Sequence, residues 1–179
     1  MSDNVYLGNP NLKKANTPIE FTEDQIREFL RCKDDPVYFS SNYVKIVSLD
    51  EGLVPFKPYD FQEKLIRRFH ENRFNICKMP RQTGKSTTCV SYLLHYAIFN
   101  DSVNIGILAN KAATARELLS RLQTAYENLP KWMQQGILVW NKGSLELENG
   151  SKILAASTSA SAVRGMSFNI LFLDEFAFV

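Results

Sequence analysis

Apolar residues recur at helical spacing over two long stretches of the chain. After Ser86, the residues Val90, Leu93, Leu94, Ala97 and Ile98 share one face of a 3.6-residue period. From Asn110, a helix-capping residue type, Ala115, Leu118, Leu119, Leu122, Ala125, Tyr126 and Leu129 do the same until Pro130. Shorter stripes predict two more helices. One opens on a Thr22-x-x-Gln25 capping box, with Ile26, Phe29 and Leu30 inward, and ends at residues 33–36. The other is capped by Asp60, with Glu63 at the third position and Phe61, Leu65, Ile66 and Phe69 inward. Strand-like runs fall at 74–78, 103–108, 137–140, 144–147, 152–156 and 169–173. Asn149-Gly150 predicts a type I′ hairpin. Residues 37–49, aromatic and then β-branched, fit either helix or strand, and 50–52 read as a turn. The polar stretch 1–18 reads as a loose arm.

Strand–helix alternation predicts an α/β fold with a mainly parallel sheet, and the short strands before residue 157 predict a β-hairpin insertion. The chain divides into a lead segment, 1–55, and a core, 56–179.

Composition changes this picture little. A length of 179 residues suits a single domain with a real core, and 45% hydrophobic against 22% charged residues is globular. The net charge of +2 leaves no global field for nucleic acid. Three cysteines, Cys32, Cys77 and Cys89, lack a C-x-x-C spacing and leave an odd thiol, which argues against a disulfide frame or a zinc site. No apolar run approaches eighteen residues, so no membrane span is expected.

The candidate chemistry lies where the run 74–78 meets the helix after Ser86. Arg81-Gln82-Thr83-Gly84-Lys85-Ser86 forms strand, loop, Gly-Lys-Ser and helix in the order a phosphate-binding loop requires. Backbone N–H groups would wrap phosphates at the positive end of the helix dipole. Lys85 would reach the β- and γ-phosphates and the Ser86 hydroxyl would ligate Mg²⁺, with the loop contacts running through Thr87. The usual first glycine of the pattern falls on Met79. About ninety residues later the apolar run 169–173 ends in Asp174-Glu175. Adjacent acids are tolerable only at a strand's tip; there Asp174 would hold Mg²⁺ and Glu175 would polarise an attacking water. The two elements together predict an ATP site.

These motifs resemble the large terminase subunit of T4-like tailed bacteriophages. The resemblance rests on the Arg81–Ser86 loop, Asn141-Lys142-Gly143-Ser144, Asn149-Gly150-Ser151, Ala162-Val163-Arg164-Gly165 and the Asp174-Glu175 run, and covers about 59–179. It implies a RecA-like P-loop NTPase with an additional catalytic glutamate, and ATP and Mg²⁺ as ligands. The implied work is translocation of double-stranded viral DNA into a prohead in the host cell cytoplasm. The implied partners are a portal protein, a small terminase subunit and further copies of the chain in a ring. It makes Tyr59-Asp60-Phe61-Gln62 an adenine-reading motif through the Gln62 carboxamide. It places Arg81 beside the transferred phosphoryl group within one subunit, while Arg164 competes for that role from a loop that could face a neighbour.

Large terminases normally continue into a coupling motif and a nuclease domain, neither of which is found here. In this class the strands at 74–78 and 169–173 are not expected to be neighbours, and both edges would lack a shared partner. The expectation is an ATPase core incomplete at its C-terminus, poorly soluble alone and gaining activity when the remainder is supplied. Two rival readings share the motifs: a superfamily 2 helicase or translocase lobe, and a truncated nucleotide-binding fragment that hydrolyses nothing.

Overall fold

Thr22 and Gln25 start the first helix of a computed structural model that describes residues 4–48, 50–159 and 165–175. Thr22 Oγ1 accepts from the Gln25 N–H at 3.2 Å and Gln25 Oε1 accepts from the Thr22 N–H at 3.0 Å. Helix α1 (Glu23–Asp34) therefore opens on the expected capping box. Its inward face differs from the expected stripe. Phe29 packs on the core and Cys32 is fully buried, but Ile26 and Leu30 are 48% and 53% exposed, so the buried face of α1 runs through Phe29 and Cys32. Asp35 ends α1 and caps α2 (Pro36–Tyr43), accepting from the Val37 and Tyr38 N–H groups. The ambiguous stretch thus resolves into helix and then strand. β1 (Lys45–Ser48) pairs antiparallel with β2 (Gly52–Pro55) in a small sheet of its own.

Next come α3 (Asp60–Glu71), α4 (Lys85–Phe99), β3 (Asn104–Ala109) and α5 (Ala112–Glu127). The chain then runs through β4 (Ile137–Trp140), β5 (Ser144–Leu147), β6 (Lys152–Ser157) and β7 (Ile170–Leu173). α4 is the central element. Its predicted stripe is buried, and so are His95, Tyr92 and Phe99, because α2, α3 and α5 all pack against it. The α5 stripe from Ala115 to Leu129 is buried throughout. α5 covers β3 and β6.

The main sheet has the order β4-β5-β6-β3-β7. β3 runs parallel to both β6 and β7, but β4–β5 and β5–β6 are antiparallel. The sheet is thus mixed, not mainly parallel. The expected insertion does not stand apart; it extends the main sheet through β5.

The run 74–78 is a larger departure. It forms no strand: it has no ladder partners among the described residues, with Phe74 84% and Ile76 100% exposed. Ladder hydrogen bonds, not local propensity, hold a strand in place, and this segment does not meet β7, the strand at that edge of the sheet. The two segments were not expected to be neighbours, and they are not paired.

Other local expectations also shift. Tyr59, not Asp60, precedes the first turn of α3, and Gln62 takes the third position in place of Glu63. Lys111, not Asn110, stands at the start of α5, with no side-chain cap. Gly150 has φ +81° but Asn149 is not among the positive-φ residues, so the β5–β6 turn is not type I′. The Gly150 N–H bonds to Leu147 O and the Leu147 N–H to Ser151 O, at 3.0 and 2.9 Å, the pattern of a longer turn closed by a left-handed glycine. The Asn149 side chain ties this turn to a neighbouring element: Nδ2 donates to Ala97 O and Asn100 O at the end of α4.

The arm is not loose over its described part. Leu12 is 1% exposed, the Ile137 N–H donates to Lys13 O, and Lys13 Nζ lies 2.7 Å from Glu148 Oε1. Gly136 permits this docking: a Cβ there would stand 2.4 Å from Ala15 Cα. Residues 1–3 lie outside the described structure.

Candidate functional site

The loop before α4 takes its shape from two residues in left-handed backbone. Gln82 has φ +60°, and Gly84, which caps α4, has φ +71° and ψ 17°. Alternation of handedness in successive residues turns backbone N–H groups toward one side, the geometry of an anion-binding nest. Thr83 Oγ1 donates to Pro80 O at 3.0 Å, and the Thr88 N–H and hydroxyl both donate to Gly84 O, at 2.9 and 3.0 Å. These bonds close the loop from both sides. The N–H groups of Lys85, Ser86 and Thr87 lie in the first turn of α4, where no intrahelical acceptor exists. They are half-buried at the positive end of a fifteen-residue helix. Arg81 and Gln82 are exposed, and Arg81 forms no ion pair among the described residues.

Gln62 supports this loop from α3. Its Oε1 accepts from the Tyr59 N–H at 2.9 Å and its Nε2 donates to Thr83 O at 3.1 Å. The residue is 3% exposed. A Cβ on Gly84 would lie 2.4 Å from Gln62 Nε2, so glycine is required there by contact as well as by φ.

Asp174 and Glu175 follow the tip of β7. The Asp174 N–H donates to Leu108 O at 2.9 Å, which continues the β3–β7 ladder by one residue. Glu175 is exposed and held at φ +52°, an unfavourable region for a residue with a Cβ. The Asp174 carboxyl is pushed above its ordinary range, first by burial and then by the neighbouring Glu175 charge. The Glu175 backbone N–H and the Lys85 and Arg121 charges oppose that rise. Lys85 is separated from Asp174 by almost ninety residues in sequence, and its charge favours the ionised Asp174 carboxylate. Asp174 lies at the carboxyl end of the parallel strands, where Ala109 pairs with Ser157 and Leu108 with Leu173. Open α/β sheets place ligand sites at that end.

Arg121 is the residue the sequence did not single out. It sits on α5, ion-paired to Glu117 at 2.6 Å, and its bearing on Asp174 arises from tertiary packing. Arg164 lies outside the described residues, as does the rest of 160–164.

Competing chemistries find little support. Burial drives the Cys32 and Cys89 thiols up to about 12, and Cys77 is raised for the same reason, so none is an activated thiolate. No cluster of three or more His, Cys, Asp or Glu occurs among the described residues. The Ser86 hydroxyl and the Asp174 carboxylate offer oxygen ligands of the kind Mg²⁺ accepts alongside water and phosphate. A cleft of about 420 Å³ between α1 and the turn before β4 is lined by Phe21, Ile26, Leu30 and Trp132, well away from the loop. A polar phosphate cradle is an open surface and need not coincide with an apolar cleft.

Residues 76–179 match the family model described as terminase large subunit, T4-like virus type, N-terminal. That match spans well over half of the chain. The chain belongs to this family. The fold agrees: the crystal structure of the HK97 bacteriophage large terminase superposes with a TM-score of 0.66 at 17% sequence identity, over 79% of this chain. Identity this low establishes shared architecture alone. The chain spans 30% of the length of that terminase.

Proposed function

We propose that this terminase segment is a P-loop ATPase core that powers the translocation of double-stranded viral DNA. The observation that carries the reading is the glycine-capped start of α4, whose loop alternates backbone handedness at Gln82 and Gly84, in a chain that also ends a parallel strand in Asp174 and Glu175. Lys85 stands on the helix start with free N–H groups; Asp174 stands on the strand tip beside a second carboxylate. A cradle of donors facing a pair of acids is what in-line attack of water on a γ-phosphate needs.

The residues divide the work by type. The N–H groups of residues 83–87 and the Lys85 ammonium bind and orient the triphosphate. Ser86 and Asp174 would hold Mg²⁺, which supplies charge neutralisation on phosphate oxygens when bound. Its raised pKa fits this assignment, because a nearby divalent cation favours the ionised form that burial disfavours. Glu175, exposed and free to face solvent, accepts the proton of the attacking water. Arg81, inside the loop, is the nearest candidate for the cation on the transferred group, with Arg164 as the alternative from a neighbouring subunit. Duplex DNA, a portal, a small terminase subunit and a ring of copies in the host cytoplasm follow from the family and complete the proposal. No helix among the described residues is long and apolar enough to cross a membrane.

Phosphate release from Mg·ATP with packaging partners present tests the reading. Glu175→Gln should lower the rate at least about a hundredfold, the usual worth of a positioned base. An undiminished rate would remove Glu175 from the reaction.

A further inference from the structure

The Gln62 carboxamide faces inward, under the phosphate loop, and this orientation suggests a different task from reading a base. We propose that Gln62 is a positioning residue that aims the loop's backbone N–H groups at phosphate, by fastening the Thr83 carbonyl to the start of α3. The inference rests on the reading of residues 81–87 as a phosphate site.

The geometry is specific. Gln62 Oε1 accepts from the Tyr59 N–H and Nε2 donates to Thr83 O, so each end of the amide already has a backbone partner. Only 3% of the residue is exposed, which leaves its second N–H and second lone pair little access to any ligand. The amide also lies directly beneath Gly84, where an added Cβ would come within 2.4 Å of Nε2. Thr83 is flanked by the left-handed residues Gln82 and Gly84. In a planar trans peptide the carbonyl and the following N–H point in opposite directions. Holding Thr83 O inward therefore turns the Gly84 N–H outward, away from Gln62, and that N–H has no partner among the described residues. One side-chain bond thus fixes the direction of a donor at the centre of the nest. Gln82 carries a Cβ at φ +60°, a conformation that persists only where surrounding contacts hold it. Without the Gln62 bond, the loop loses one of those contacts.

A base reader and a loop positioner differ in what a ligand without a base should report. Mg·tripolyphosphate, Mg·ATP and Mg·GTP binding would be measured by calorimetry on the full chain and on two variants. Gln62→Glu keeps an acceptor for the Tyr59 N–H but cannot donate to Thr83 O. Gln62→Met is neutral and nearly isosteric but loses both bonds. Thermal melts without ligand report whether each variant folds. Loss of one hydrogen bond's worth of loop order corresponds to up to about tenfold in affinity. The expected result is a loss of this size for all three ligands in both variants, with the ATP-to-GTP ratio unchanged. Tripolyphosphate affinity within twofold of the unaltered chain in the folded variants would overturn the proposal. A fall in ATP affinity alone would return Gln62 to base recognition. If the unaltered chain binds tripolyphosphate and ATP not at all, the phosphate-site reading itself falls and the positioning role with it.

Discussion

At the scale of single residues, two ionisable groups make opposite predictions about pH. Asp174 is raised above its ordinary range in the folded chain, by burial and by Glu175. Its folded pKa exceeds its unfolded one, so the proton stabilises the fold. That contribution is present below the ordinary carboxylate pKa and is lost as pH rises through the raised value. At neutral pH the ionised carboxylate therefore costs stability, and Asp174→Asn should melt higher than the unaltered chain. The gap should narrow as pH falls into the carboxylate range, and a lower melting temperature at pH 7 would contradict this. His95 behaves the other way. It is 1% exposed, its Nε2 donates to Cys32 O at 2.8 Å, and Nδ1 has no hydrogen-bond partner among the described residues. Burial lowers its pKa from 6.5 to about 4. Stability is fully present above 6.5 and is lost as pH falls toward 4, at up to about 1.4 kcal/mol per pH unit. His95→Phe keeps the aromatic packing against Phe39 and Phe99. Melts between pH 7 and 4 should fall less steeply in that variant; equal slopes would place the acid sensitivity elsewhere.

At the scale of elements, the β5–β6 turn is fastened to the end of α4 by two side chains, Asn149 and Ser151, the latter donating its hydroxyl to Asn100 O at 2.9 Å. Asn149 donates to Ala97 O and Asn100 O, and its Oδ1 accepts from the Ser151 N–H at 3.1 Å. Asn149→Ala should destabilise by roughly 1–3 kcal/mol, since it strands the Ala97 carbonyl at a helix end, while Asn100 O keeps the Ser151 hydroxyl. For a chain of this size that is a fall of about 2–4 °C per kcal/mol, and a melt within a degree of the unaltered chain would refute the tie. This contact also marks the limit of what the sequence could convey. α4, α5 and the β4–β6 strands were legible because their periods are local: each apolar stripe or alternation is set by residues a few positions apart. Asn149-Gly150 announced a hairpin, but the partners of the Asn149 side chain are carbonyls about fifty residues away in sequence, which no local pattern conveys. Gln62 was legible as a residue of interest, while its inward orientation required knowing that α3 starts after Tyr59 and lies under Gly84. The run 74–78 had strand composition but no partner, and pairing is a property of two segments. Arg121 gave no signal, because its bearing on Asp174 comes through packing of α5.

At the scale of the whole molecule, the described fold is a mixed sheet with the candidate site at the open end of its parallel strands. β7 is the edge strand of the sheet among the described residues, and the unpaired segment 74–78 exposes Phe74 and Ile76. Asp174 and Glu175 follow β7 at that edge, and the segment leads into the loop before α4. The central claim is that these parts form one Mg·nucleotide phosphate site, and equilibrium binding of Mg·ATP to the chain tests it most directly. The account predicts measurable binding by the unaltered chain and similar affinity, within about twofold, for Glu175→Gln. Lys85→Ala should bind at least about tenfold more weakly, as expected for loss of a charge-assisted contact to phosphate. Equal affinity in Lys85→Ala and the unaltered chain, or no binding by either, would contradict it.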